Sequence, residues 1–193
     1  MIGGLGSSLG GEVLLGAASA YPDIKAIAAD GATTRSLDEL LALPSERPLV
    51  RNLTARVMYA AVQILSGETP PEPLLDSMVA APSTSYLLIA GGGNQREVDF
   101  NELFAAATPD RSQLWIAPGA SHTGAFGLYP AEYEQRVIAF FDAALLDEIG
   151  ATVEALESNP AQVSGCQSSD STIASAAHSA PNAANITLIS VVS

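Results

Sequence analysis

A serine lies at the centre of a glycine-flanked pentapeptide near the start of the chain. Residues 6–10 read G-S-S-L-G, which fits the pattern G-x-S-x-G with Ser8 in the middle. Glycine is needed on both sides when a sharp strand-to-helix turn brings neighbouring backbone too close for a Cβ atom. Such a turn presents the Ser8 hydroxyl as a nucleophile, and the Leu9 backbone N–H, at the start of a helix, would stabilise an oxyanion.

A flexible or phosphate-binding turn is the alternative interpretation of this segment. A G-x-G-x-x-G pattern that begins at Gly4 fails at Leu9, and no lysine follows as a P-loop would require. The nucleophile interpretation therefore depends on whether the chain supplies a base and an acid for Ser8.

The candidate base is His122, in the loop sequence P-G-A-S-H-T-G at residues 118–124. This loop comes directly after a predicted strand and before the last predicted helix. An imidazole at that place can accept the serine proton and pass it to a leaving group, because its ordinary pKa is close to neutral pH. The alternative is a surface-loop histidine that makes a structural hydrogen bond.

The candidate acid is Glu97, which follows the glycine-rich segment after a predicted strand. A carboxylate there would fix the imidazole tautomer and stabilise its charged form. A helix N-terminal carboxylate is the alternative role for Glu97, and Asp99 or Asp76 could replace it as the acid. The order serine, acid, histidine, each after a strand, is that of a hydrolase triad built at the carboxyl edge of a parallel sheet.

Alternating strands and helices position these residues. The predicted strands are residues 1–6, 24–29, 83–90 and 113–117, and the predicted helices between and after them are 9–21, 97–107 and 130–146. Residues 37–80 read instead as helices interrupted by prolines, which indicates an inserted cap. We therefore predict an α/β domain over residues 1–150, with a mostly parallel sheet of about four strands flanked by helices.

The last part of the chain, residues 151–193, is predicted to be a low-complexity, disordered tail. Beyond about residue 159 it consists largely of Ser, Ala and Asn, with few large apolar side chains to offset the entropy cost of ordering. The run at residues 186–192 is β-prone. Weak strand pairing or a shifted reading frame would each account for it.

Charge and cysteine content exclude several classes of function. The 193 residues include 8 Lys and Arg against 21 Asp and Glu, a net charge of −13, which disfavours nucleic-acid and anionic-membrane partners. One cysteine and two histidines give no disulfide and no zinc-ligand spacing. No apolar stretch is long enough to span a membrane. A cytoplasmic location is favoured, any signal or anchor is expected upstream of Met1, and the oligomeric state is left open.

Four segments together resemble a known family. They are L-G-S-S-L-G-G-E at residues 5–12, L-L-I-A-G at 87–91, W-I-A-P-G-A-S-H-T-G at 115–124 and Y-E-Q-R-V-I-A-F-F at 133–141. They look like bacterial α/β-hydrolases of the serine-esterase and serine-aminopeptidase type, and the resemblance extends from Met1 to about Leu146. It implies hydrolysis of a small-molecule ester or amide through an acyl-enzyme on Ser8, with no metal or organic cofactor.

The chain also departs from that family. Family members have several strands, and the loop with the second oxyanion donor, before the serine turn, so this chain resembles their C-terminal half. The resemblance then implies an unpaired edge at the serine strand and a weak or inactive isolated chain. Two other functions remain open: a non-catalytic fragment or pseudo-enzyme interaction module, and an acyltransferase that uses the same triad.

Overall fold

Strands and helices alternate along most of the chain. The computed structural model describes residues 1–44, 48–158 and 187–191. The strands are β1 (Ile2–Ser7), β2 (Ile24–Asp30), β3 (Ser85–Gly91), β4 (Ser112–Ala117) and β5 (Thr187–Val191). The helices are α1 (Leu9–Ala17), α2 (Leu37–Ala42), α3 (Pro48–Ser66), α4 (Leu74–Val79), α5 (Gln95–Ala107), α6 (Ala125–Leu128) and α7 (Pro130–Ser158).

The strands form one parallel sheet in the order β4-β3-β2-β1-β5. The predicted α/β class, with four parallel strands flanked by helices, is confirmed, and a fifth strand adds to it. Because β1 to β4 each run in the same direction, the residues that follow them meet at one edge of the sheet. The serine turn, the segment before α5 and the histidine loop all lie at this edge.

The expectation that β1 would be an unpaired edge is wrong. β5 pairs with β1 in parallel, from Ile2 opposite Thr187 to Gly6 opposite Val191. An open edge presents unpaired N–H and C=O groups, which a β-prone segment of the same chain can satisfy. Of the predicted tail, residues 151–158 belong to α7, 187–191 form β5, and the rest lie outside the described residues.

Each face of the sheet is covered by helices. Alternate residues of β2 point to opposite faces, as the pleat requires. Ile27 and Ala29 pack with α1, α4 and α5, where the buried side chains include Leu15, Leu74, Phe100 and Phe104. Ala26 and Ala28 face the other side and pack with α7 through Phe140, Phe141 and Leu145. The abundant alanines of β2 let the helices approach the sheet closely.

Three helices, α2, α3 and α4, lie between β2 and β3, within the segment predicted as a cap. A buried carboxylate, Glu39, anchors this segment by accepting hydrogen bonds from Thr34 Oγ1 (2.7 Å), Ser36 Oγ (2.9 Å) and Leu75 N (2.8 Å). In contrast, α3 exposes most of its large apolar side chains. Its function as a cap stays a prediction.

Some element boundaries differ from those predicted. α1 ends at Ala17 rather than at residue 21, and α6 was not predicted. α7 continues beyond the predicted end at residue 146 to Ser158, across a segment rich in the helix formers Ala, Glu and Leu. In the part of the chain that the structure describes, no helix is both long and apolar enough to cross a membrane.

Candidate active site

Ser8 occupies a strained turn between β1 and α1. Its backbone has φ 50° and ψ −120°, a conformation that is unusual for a residue with a Cβ atom. A Cβ built on Gly6 would lie 2.5 Å from the carbonyl carbon and oxygen of Gly10 and 2.6 Å from the Gly11 nitrogen. Gly6, the first glycine of the motif, is therefore required by backbone contact across the turn.

Three predicted site residues lie in hydrogen-bond contact. His122 Nε2 is 2.9 Å from Ser8 Oγ, and His122 Nδ1 is 2.7 Å from Glu97 Oε2. With the proton on Nδ1, the imidazole donates to the carboxylate and its Nε2 accepts from the serine hydroxyl. The structure thus brings Ser8, His122 and Glu97 into contact, while their catalytic roles stay predictions.

Burial and hydrogen bonds fix the Glu97 carboxylate. The side chain is 0% exposed, while that of His122 is 46% exposed. Glu97 Oε1 accepts from the Gly91 N–H (2.6 Å), and Oε2 accepts from Asn94 Nδ2 (3.3 Å) in addition to His122. Glu97 also lies in the first turn of α5, where the helix dipole favours a negative charge. A carboxylate held in this way can orient the more exposed imidazole.

The loop that carries His122 packs against the residue that follows β2. Gly31 has φ +73°, and a Cβ there would lie 2.7 Å from Thr123 Cγ2 and 3.1 Å from His122 Cε1. Thr123 itself has φ 53°. The Gly93 N–H donates to Ala120 O at 2.8 Å, which ties the loop to the segment before α5. The imidazole is therefore held from two sides.

The alternative acids lie elsewhere. Asp99 Oδ1 accepts from Gln95 Nε2 at 2.7 Å, one turn earlier on α5, and the structure gives it no contact with His122. Asp76 is exposed on α4. The Leu9 N–H, the predicted oxyanion donor, is the first of α1, and N–H groups of a first helical turn have no partner within the helix.

Sequence reasoning missed Asp30, the last residue of β2. Its side chain is 3% exposed, and its backbone carbonyl accepts the Ser8 N–H at 2.7 Å. Burial raises the pKa of the Asp30 carboxyl to about 6, while a hydrogen bond with Tyr133 counteracts part of this effect. The signal that could have found Asp30 is its position directly after the apolar run at residues 26–29.

We predict that Asp30→Asn stabilises the protein at pH 8 but not at pH 4. A raised carboxyl pKa means that folding favours the protonated form, so the native chain loses stability as pH rises from 3.8 to about 6. The difference of about 2 pH units corresponds to up to about 3 kcal/mol in the free energy of unfolding. Chemical denaturation at both pH values measures it, and an equal effect of the substitution at pH 4 and pH 8 would contradict this prediction.

The described residues supply no obvious metal site. Among residues 1–44, 48–158 and 187–191, no group of three or more His, Cys, Asp or Glu side chains is placed to hold a metal ion.

The fold and the positions of these three residues resemble a known arrangement. A strand, a strained serine turn and a helix are followed by parallel strands, and the segments after two of these strands bring Glu97 and His122 to the same edge. This arrangement is similar to that of an α/β-hydrolase fold from its serine strand onward.

Comparison with known proteins finds likeness in structure. No protein-family profile matches the sequence, and no curated protein matches it. The fold is similar to the Pyrococcus furiosus esterase Pf2001 (21% identity, TM-score 0.46, covering 74% of this chain and 53% of that one). It is also similar to the esterase domain of a Rhodothermus marinus protein (18%, 0.48, 71% and 59%) and to Rv0554 from Mycobacterium tuberculosis (13%, 0.49, 74% and 65%). The chain therefore spans about half the length of the Pyrococcus esterase.

Proposed function

We propose that this chain is a serine hydrolase that cleaves a carboxylic ester or amide through an acyl-enzyme on Ser8. One observation carries the proposal: a continuous hydrogen-bonded path from Ser8 Oγ to His122 Nε2 (2.9 Å) and from His122 Nδ1 to Glu97 Oε2 (2.7 Å). A serine hydroxyl is a weak nucleophile until a base removes its proton, and this path supplies the base together with the group that orients it.

The reaction follows from this arrangement. Ser8 Oγ attacks the carbonyl carbon while His122 Nε2 takes its proton, and Glu97 stabilises the resulting imidazolium. The carbonyl oxygen becomes an oxyanion, to which the Leu9 N–H donates. His122 then protonates the leaving alcohol or amine, which leaves an ester of Ser8. Water, deprotonated by His122, attacks that ester and releases the carboxylic acid and free Ser8.

Acylation of Ser8 by a reactive ester is the most direct measure of this proposed function. It depends on attack by Ser8 and on departure of the first product, but not on hydrolysis of the acyl-enzyme.

Labelling with a fluorophosphonate tests the proposed function, because this probe reacts with a serine only when the serine is activated. We expect covalent modification of the native chain, located at Ser8 by peptide mass spectrometry, and none in Ser8→Ala. Ser83→Ala is the matched control, since it removes an exposed serine hydroxyl before β3, at the opposite edge of the sheet, and should leave Ser8 reactive.

The outcome also separates this function from a non-catalytic module. Circular dichroism first establishes that each variant is folded. A folded native chain that takes up no probe, or a Ser8→Ala variant that takes up as much as the native chain, would refute the hydrolase and favour an interaction module.

A further inference from the structure

A second buried carboxyl lies at the edge of the sheet that carries Ser8 and His122. Asp30 is 3% exposed, and its Oδ1 atom is buried with no hydrogen-bond partner among the described residues. The steps described above make no use of this group. A buried polar atom without a partner costs stability, so its presence at a functional edge calls for an explanation.

The backbone around Asp30 contacts two of the three residues of the proton path. The Asp30 carbonyl oxygen accepts the Ser8 N–H at 2.7 Å, which holds the serine turn against β2. The next residue, Gly31, lies against the imidazole, where a Cβ would be 3.1 Å from His122 Cε1 and 3.2 Å from His122 Nδ1. Asp30 is therefore the neighbour in sequence of the residue against which the imidazole packs.

The Asp30 side chain points toward α7. Ala26 and Ala28, which alternate with it along β2, pack on that face of the sheet. The Tyr133 hydroxyl of α7 lies near the Asp30 carboxyl and lowers its pKa, and the Tyr133 ring is fixed by edge contacts with Trp115 (6.1 Å between centroids) and Phe126 (5.5 Å). The carboxyl thus has one polar neighbour on α7 in an otherwise apolar environment.

The titratable groups that act on Asp30 come from three elements. Burial raises the pKa of its carboxyl to about 6, the Tyr133 hydroxyl on α7 and His122 in the loop after β4 lower it, and Glu97 on α5 raises it. On the side of β1, the nearby residues are Ser7, which ends the strand, and Ser8, which follows it, and neither carries a charge. Above pH 6 Asp30 is therefore ionised and adds negative charge near the imidazole.

We propose that Asp30 is a positioning residue of the active site, whose carboxylate stabilises the protonated imidazole of His122 from the side of the sheet. This inference rests on the proposed role of His122 as the base. When His122 takes the Ser8 proton, two carboxylates stabilise the imidazolium. Glu97 does so in direct contact, and Asp30 does so from the end of β2. By linkage, protonation of His122 and ionisation of Asp30 favour each other.

NMR titration of the imidazole tests this coupling without requiring turnover. The chain has two histidines, so His178→Gln in every sample leaves His122 as the single imidazole to follow. We expect Asp30→Asn to lower the midpoint of the His122 titration by up to roughly one pH unit, and to slow Ser8 acylation at pH 8 by up to about tenfold. Asp76→Asn is the matched control, since Asp76 is exposed on α4, and should leave the midpoint unchanged.

Tyr133→Phe provides a second variant that keeps the aromatic contacts. Without the tyrosine hydroxyl, Asp30 stays protonated to higher pH, so the His122 midpoint should fall part of the way toward that of Asp30→Asn. If Asp30→Asn does not fold, Tyr133→Phe decides the question. A midpoint equal to that of the parent chain in the folded variant overturns the inference.

The two proposals can fail separately. Fluorophosphonate labelling of the same samples reports on the hydrolase function, and the titration reports on the coupling. A labelled parent with no shift in Asp30→Asn overturns the role of Asp30 alone. An unlabelled parent overturns the hydrolase function and, with it, the catalytic role of Asp30, even where the titration still shows the coupling.

Discussion

Replacing Glu97 with glutamine is expected to lower the rate of Ser8 acylation by about ten-thousandfold. Glutamine keeps the shape of the side chain, but it cannot hold the imidazole with its proton on Nδ1 and cannot stabilise the imidazolium. His122 Nε2, 2.9 Å from Ser8 Oγ, would then lose its function as base. Pre-steady-state release of p-nitrophenol from a short p-nitrophenyl ester measures the acylation rate.

The matched control is Asp99→Asn, two residues further along α5. Asp99 accepts a hydrogen bond from Gln95 and is not in contact with the histidine, so this variant should acylate at close to the native rate. Glu97 also accepts the Gly91 N–H, so the free energy of unfolding is measured for both variants to separate loss of chemistry from loss of structure. A large loss in Asp99→Asn, with native rates in Glu97→Gln, would assign the acid to Asp99.

The parts of the fold that the sequence could predict are those with local signals. Short apolar runs between glycine and proline breaks mark β2, β3 and β4 within two residues of their observed bounds. The spacing of Gly6, Ser8 and Gly10 reports a constraint that the structure contains, because the backbone at Gly6 approaches that at Gly10 too closely for a Cβ. Because the strands are parallel, the loops that follow them are predicted to lie at the same edge of the sheet.

Features that depend on long-range contacts could not be predicted in this way. The pairing of β5 with β1 joins the two ends of the chain, and no pattern near residue 187 indicates which strand it joins. Glu97 and Asp99 lie on different sides of α5. The choice between them depends on which side faces the histidine loop, and the sequence alone does not show this. The burial of Asp30 could not be predicted because it depends on α7, which begins about 100 residues later in the chain.

Gly6→Ala is expected to disrupt both the fold and the site. The added Cβ would lie 2.5 Å from the carbonyl of Gly10, and these neighbours are backbone atoms that cannot turn away. The start of α1 would have to move from β1, at a cost of about 3 kcal/mol or more in the free energy of unfolding. Because Ser8 lies between the two elements, a displacement of about 1 Å would also slow its acylation by about a hundredfold.

The exposed Gly127 on α6 separates this specific effect from the general effect of replacing glycine by alanine. A Cβ at Gly127 has no heavy atom within 4 Å, so Gly127→Ala should match or slightly exceed the native stability and leave acylation unchanged. Thermal unfolding and ester burst measurements on the two variants give the comparison. If Gly6→Ala were as stable and as reactive as Gly127→Ala, then β1 and α1 would not pack as closely as described. The strained turn at Ser8, which depends on that packing, would then lose its structural basis.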